Sequence, residues 1–178
     1  MKIFLHVCCG PCSTAVIEQL KEEGYELVLF FPNSNIFPKE EWEKRLENAK
    51  KIAKLHGLKL IVDDYDHSAW REFVKGLESE PEGGARCEKC FEFNLTRTAE
   101  KARELGIDNI TTTLTVSRHK NSKRIFEVAQ KIASEYKLNF VDVDFKKKCG
   151  YEKSVELSRK IGLHRQDYCG CEFSKRDN

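Results

Sequence analysis

The sequence has no run of about eighteen apolar residues, so no helical membrane span and no membrane partner are expected. Its N-terminus lacks the basic region, long apolar segment and small-residue cleavage site of a secretory leader, so a reducing cytoplasm is the expected location. Excess charge of one sign is also missing. Lys plus Arg number 31 against 29 Asp plus Glu, a net charge of +2, which neither demands nor excludes a polyanionic partner. Internal repeats and low-complexity segments are absent. Glutamine is scarce beside abundant Lys and Glu, a mild thermophile signature. What remains is a 178-residue chain, 40% hydrophobic and 34% charged, of a size for one globular domain with a real core.

What is present in excess is cysteine. There are eight, in a chain whose expected compartment disfavours disulfides, so clustered thiols read first as metal ligands or redox groups. Cys8, Cys9 and Cys12 stand together, then Cys87 and Cys90, then Cys149 alone, then Cys169 and Cys171. Exposed thiols oxidise readily, so three on one turn call for a metal site or redox chemistry.

Strand and helix patterns alternate along the chain. Lys2 to Val7 reads as a first strand and Ser13 to Glu23 as a helix stopped by Gly24. Glu26 to Phe31 is nearly continuously apolar, as expected of a strand covered on both faces. After a loop from Pro32 to Pro38, an amphipathic helix from Lys39 to His56 sets Trp42, Leu46, Ala49, Ile52 and Ala53 on one face. Leu58 to Val62 gives a third strand, followed by a helix through Trp70, Phe73 and Leu77. A polar loop from Glu78 to Arg86 leads to a helix from Cys87 to Leu105. Asn109 to Leu114 is a β-branched fourth strand, and the basic loop Ser117 to Asn121 opens a helix reaching Tyr136. Leu138 to Phe145 reads as a fifth strand, Lys146 to Lys148 as a basic turn, and Glu152 to Ile161 as a last helix. Residues 163–178 form an irregular segment.

This alternation predicts a single α/β domain over residues 1–178, with a doubly wound, mostly parallel five-stranded sheet. Ligands of such sheets bind at the carboxyl ends of strands, where the strand order reverses. The triple-cysteine turn after the first strand therefore falls at the expected crevice.

Cys87-Glu88-Lys89-Cys90 is a C-x-x-C at a helix N-terminus, where the helix dipole favours thiolate. Cys169-Gly170-Cys171 is a C-x-C whose glycine lets both thiolates turn to one side. A structural zinc would use four of these thiols, but the second C-x-x-C of a zinc knuckle is absent. A thioredoxin-like dithiol would follow the first strand of its fold, and here the C-x-x-C is in mid-chain. An iron–sulfur cluster accepts four thiolates from distant segments, which leaves three clustered cysteines for a second metal or for substrate. Cys149, without a nearby partner, reads as a turn residue outside the site.

His6-Val7-Cys8-Cys9-Gly10-Pro11-Cys12-Ser13, Arg86-Cys87-Glu88-Lys89-Cys90, Thr112-Thr113-Leu114 and Gly162 to Cys171 together resemble the QueH-type epoxyqueuosine reductases, over nearly the whole chain. The resemblance implies a cobalamin-independent oxidoreductase that reduces epoxyqueuosine to queuosine at the tRNA wobble position, the last step of queuosine biosynthesis. It implies a 4Fe–4S cluster with an additional mononuclear iron beside it, and a fold related to the adenine-nucleotide α-hydrolase (PP-loop/HUP) group. The family's metal-binding motifs fall on Cys8, Cys9, Cys12, Cys87, Cys90, Cys169 and Cys171, so residues 163–178 would return to the metal site. The spacing leaves the division of these thiols between cluster and iron open. Two departures stand out. Phe91-Glu92-Phe93-Asn94-Leu95 replaces the aromatic and Arg-Leu that often follow the C-x-x-C, and Ser117-Arg118 replaces a Ser-Pro pair.

Removing an epoxide oxygen to leave an alkene takes two electrons and two protons and releases water. The electrons would come from a donor such as ferredoxin or flavodoxin. Asp167 and Tyr168, beside the C-x-C, are candidate proton sources. For substrate, Arg165 and Gln166 lie next to the C-x-C, and Asn33 and Asn35 follow the second strand. Arg118 and Lys120, with Lys123 and Arg124, form the main basic patch for tRNA phosphates, and Lys146 to Lys148 a second. The competing readings are a tRNA sulfur-transfer or ATP-using enzyme of the same fold, and a zinc-stabilised RNA-binding domain. ATP use calls for a Gly/Ser-rich phosphate loop where this chain has Cys-Cys-Gly-Pro-Cys-Ser.

Overall fold

The computed structural model describes residues 1–175. Residues 176–178 of the expected C-terminal segment, and the side chain of Lys148 in the second basic turn, lie outside the described residues. Five parallel strands form one sheet: β1 (Lys2–His6), β2 (Glu26–Phe31), β3 (Lys59–Val62), β4 (Asn109–Thr112) and β5 (Asn139–Phe140). Their order is β3-β2-β1-β4-β5, so the strand order reverses between β1 and β4.

Helices cover both faces. Ile3, Leu5 and Val7 of the β1 segment point one way, to a core with α1 (Gly10–Glu22) and α2 (Lys39–His56); α6 (Gly150–Ile161) packs on α1. Phe4 points the other way, to a core with α4 (Ala85–Glu104) and α5 (Ser122–Glu135), and stacks on Phe30 at 5.1 Å. This is the two-residue alternation of a strand buried on both sides. The short α3 (His67–Phe73) carries Trp70 to a third apolar cluster with Val74 and Cys171. No helix among the described residues is long and apolar enough to cross a membrane.

Several boundaries differ from expectation for identifiable reasons. Helix α1 begins at Gly10, three residues before Ser13, because Cys9 caps it and Pro11 is tolerated in a first turn. Strand β4 stops at Thr112 and the chain tightens into a 3-10 turn over Thr113–Val116. With no backbone left beside it, β5 is two residues long and does not reach Phe145. Hydroxyl groups take over from the ladder: Thr111 Oγ1 donates to the Val141 carbonyl at 2.8 Å and Thr115 Oγ1 to that of Val143 at 3.0 Å. Helix α3 ends at Phe73, before Leu77, and α4 starts at Ala85, two residues ahead of Cys87.

Candidate metal centre

The site begins where β1 ends. Cys9 is the N-cap of α1, its Sγ accepting the Cys12 N–H at 3.3 Å, a role usually filled by a side-chain oxygen. Cys8 is fixed from the end of β4. Its N–H donates to Thr113 Oγ1 at 3.0 Å, and the Thr113 hydroxyl donates to Cys8 Sγ at 3.2 Å. The sulfurs of Cys8, Cys9 and Cys12 lie within 4.8 Å of one another, a group that could hold a metal ion. Burial opposes ionisation of Cys9, but hydrogen bonds from Cys12 and Cys8 outweigh it and hold its thiol well below the usual cysteine range. Giving up those bonds pushes Cys12 well above it. The triad is thus biased towards holding negative charge on Cys9.

The other thiols arrive from α4 and the C-terminal segment. Cys87 lies in the first turn of α4, its Sγ accepting the Gly83 N–H at 3.2 Å, and Cys90 lies one turn on. The C-x-C is carried to them by α2. Arg45, 2% exposed, donates to the carbonyls of Cys169 at 2.8 Å and Tyr168 at 3.2 Å. Glu41 holds the guanidinium at 2.7 Å. Asn48 exchanges two hydrogen bonds with the His164 backbone. Gly170 is needed here: its φ is 142°, and an added Cβ would stand 3.0 Å from Arg45 Nη1.

Two adjoining cavities result. One, of about 280 Å³, is walled by Cys8, Cys12, Cys90 and Cys169. The second, of about 180 Å³, is walled by Cys87, Cys90, Cys169 and Cys171. Cys90 and Cys169 thus face both. Burial, then charge on Cys169 and Cys171, pushes the Cys90 thiol well up, while the Trp70 N–H works in the opposite direction. Lys120 lines both cavities. Burial disfavours its charge, but the surrounding cysteine sulfurs more than reverse that and hold it firmly as an ammonium.

Of the residues expected at the substrate, Asn33, Asn35, Arg165, Gln166, Asp167 and Lys120 all line the larger cavity. Asn33 is anchored by donating to the Val7 carbonyl at 2.7 Å, and Arg165 by donating to Ser158 Oγ at 2.6 Å. Tyr168 turns its hydroxyl to the Phe37 carbonyl at 2.5 Å. Arg118 is not in the cavity. It is exposed, pairs with Glu152, and lies over the Tyr151 ring at 4.2 Å. It borders an open surface groove with Lys120, Lys123 and Lys146. Cys149 is exposed, caps α6 in a left-handed conformation with φ 60°, and lines neither cavity.

Sequence reading gave no role to His6, Arg45, Trp70, Arg86 or Asn94. Arg45 and Asn94 left a usable signal: each is a polar residue within the apolar stripe of its helix, beside Trp42 and Leu46 or Phe91 and Leu95. His6 shares a 2.8 Å hydrogen bond between Nδ1 and Thr112 Oγ1. Burial drives its pKa down to about 4, against the opposing charge of Cys8, so the imidazole on the cavity wall is neutral.

Similarity to known proteins gives the family. A family model described as epoxyqueuosine reductase QueH matches residues 3–177. Curated proteins named epoxyqueuosine reductase QueH match over nearly the whole of this chain. That of Streptococcus pyogenes is 39% identical over 98% of this chain and 70% of its own length. That of Acinetobacter baylyi is 38% identical over 99% and 81%, and that of Thermotoga maritima 36% identical over 97% and 89%. The chain belongs to the QueH family of epoxyqueuosine reductases. Its fold is shared more widely among tRNA-modifying proteins. A structure described as a predicted subunit of tRNA methyltransferase from Methanocaldococcus jannaschii superposes with a TM-score of 0.62 at 17% identity, over 89% of this chain and 74% of that one. The U34-tRNA thiolase NcsA from Methanococcus maripaludis, described with its 4Fe–4S cluster, gives 0.57 at 11% identity, over 99% and 61%. The expected doubly wound, parallel five-stranded α/β sheet is thus the fold of this QueH-family chain, an oxidoreductase by family.

Proposed function

We propose that this QueH-family chain reduces epoxyqueuosine to queuosine in tRNA, in the cytoplasm, with its seven clustered thiols divided between the two cavities. Cys87, Cys90, Cys169 and Cys171 would hold a 4Fe–4S cluster, and Cys8, Cys9 and Cys12 an additional iron. The observation that carries this reading is the pair of adjoining cavities, one bounded by four thiols from the C-x-x-C and C-x-C, the other by Cys8 and Cys12 of the triad, whose three sulfurs lie close together. Four thiolates suit a cubane, and the fold is one that carries a 4Fe–4S cluster in a U34-tRNA thiolase. Bound there, these groups supply one-electron transfer and Lewis-acid polarisation of the epoxide oxygen.

The chain's own residues bind the substrate and manage charge. The modified base enters the larger cavity, where Asn33, Gln166 and Arg165 offer donors to its hydroxyl and amine-bearing groups. Lys120 offsets the negative charge of the thiolates between the cavities, and Asp167 stands on the same wall as a proton carrier. The exposed groove with Arg118, Lys123 and Lys146 takes tRNA phosphates, with Lys120 at its inner end. Electrons arrive from a donor such as ferredoxin or flavodoxin.

Incubating anaerobically reconstituted, reduced enzyme with epoxyqueuosine tRNA should give queuosine on nucleoside analysis. A brown protein with about five irons per chain is expected under this ligand division. No conversion, or a colourless protein with stoichiometric zinc, would overturn the reading, and a ceiling of four irons would remove the triad iron from it.

A further inference from the structure

Trp70 Nε1 and Arg86 Nε are buried N–H groups with no hydrogen-bond partner among the described residues. Both residues line the smaller cavity, with Cys87, Cys90, Cys169 and Cys171. Buried donors are rarely left unpaired unless something outside the protein fills the role.

Neither side chain can swing away to find a partner. The Trp70 ring, 0% exposed, lies between His67 at 5.3 Å and Phe173 at 6.2 Å. Arg86 is 2% exposed and its Nη1 donates to the carbonyls of Glu78 at 2.8 Å, of Leu77 at 3.4 Å and of Glu80, while its guanidinium carbon lies 5.0 Å from the centre of the Phe173 ring. The fold pairs Arg86 Nη1 with carbonyls and leaves Arg86 Nε and the one N–H of Trp70 unpaired, on two residues that line the smaller cavity. Trp42 Nε1 is also unpaired, but Trp42 lines neither cavity, so its orphaned N–H points to no ligand.

We propose that Trp70 and Arg86 are positioning residues that donate N–H···S hydrogen bonds to the iron–sulfur cluster held by Cys87, Cys90, Cys169 and Cys171 and thereby raise its reduction potential. This rests on the assignment of that cluster to the smaller cavity. Each added electron increases negative charge on the sulfurs, so fixed N–H donors stabilise the reduced state more than the oxidised one. A cluster poised in this way accepts electrons from a weaker donor.

The test is a reductive titration of the anaerobically reconstituted protein, followed by electron paramagnetic resonance, for wild type and Trp70→Phe. At the wild-type midpoint, the reduced-to-oxidised ratio of the variant should fall about tenfold, equivalent to ~59 mV for a one-electron couple. A second variant, with Trp70 replaced by 3-benzothienylalanine, keeps the bicyclic shape and lacks only the N–H. It should show the same shift, and it carries the test where Phe leaves a void that impairs folding or loading. An unchanged midpoint in a variant with full iron content overturns the proposal. A wild-type protein that binds no cluster fails at an earlier, distinguishable step and overturns the cluster assignment with it. A purely structural role for Trp70 would lower iron content without moving the potential of the loaded fraction.

Discussion

Arg45 is the side chain on which the C-x-C most depends, and its replacement by Met gives the sharpest test of how the site is assembled. Met keeps the apolar stem and removes the guanidinium. Lost with it are the bonds to the Cys169 and Tyr168 carbonyls, the Glu41 pair and a cation–π contact with the Tyr168 ring at 5.3 Å. Breaking a buried ion pair by removing one partner costs roughly 3–5 kcal/mol, largely because the other charge is stranded. Glu41 keeps a second partner, His164 Nε2 at 3.3 Å, which places the expected cost near the lower end, about 3 kcal/mol. That is a large fraction of a domain's stability. It should appear as a lower denaturant midpoint and as loss of iron from the site fed by Cys169 and Cys171. Adding Glu41→Gln removes the stranded carboxylate, so the double variant should recover part of the loss in a mutant cycle. The reasoning fails if Arg45→Met stays within about 1 kcal/mol of wild type and keeps its full iron content.

Gly10→Ala would place a Cβ 2.5 Å from Asn48 Cβ, so α1 and α2 must separate; destabilisation of about 1–3 kcal/mol is expected in urea unfolding. His6 has its folded pKa depressed from 6.5 to about 4, so its contribution is complete above pH 6.5 and is lost as pH falls towards 4. The full effect is roughly 3 kcal/mol, and His6→Asn should flatten the dependence of the urea midpoint on pH in that window for metal-free protein. Cys149→Ser should leave iron content, activity and stability unchanged within about 0.5 kcal/mol, because that thiol is exposed and lines neither cavity. Replacing Arg118 and Lys123 by Ala should weaken tRNA binding and lower its salt slope by about 1–2, with iron content unaltered; an unchanged slope would remove the groove from the tRNA path.

The parallel sheet was legible because the apolar runs at Ile3-Phe4-Leu5 and Glu26–Phe31 are too continuous for a sheet with one wet face. The position of the triad followed from the same pattern, since a turn after the first strand of such a sheet borders the reversal of strand order. Local periodicity could not show that β4 and β5 would part early, because hydroxyls of Thr111 and Thr115 satisfy carbonyls that an alternating pattern assigns to a ladder. Nor could spacing divide the seven thiols. Cys90 and Cys169 are 79 positions apart and share both cavities only because Arg45 and Asn48, on a third segment, draw the C-terminal chain back across α1. Long-range hydrogen bonds of that kind leave one local trace, a charged or amide residue inside an apolar stripe.

The turn that opens α1 shows how a crevice at the end of β1 can serve thiol chemistry. At the start of a helix, the free N–H groups and the positive end of the dipole attract an anion. Here Pro11 removes one donor, and the Cys12 N–H is taken by the sulfur of Cys9, the thiol held furthest towards its anionic form. The helix terminus therefore stabilises a thiolate of the chain itself where a bound phosphate would otherwise lie. Thr113 does the corresponding work from the 3-10 turn after β4, donating to Cys8 Sγ while accepting the Cys8 N–H. Replacing Cys9 by Ser would restore an ordinary oxygen cap, so α1 should form as well or better, while the triad loses the sulfur that its hydrogen bonds were arranged to charge. Retained stability with one fewer bound iron would separate the capping role of Cys9 from its ligand role. Loss of stability by more than about 2 kcal/mol would show that the cap geometry was built for sulfur alone.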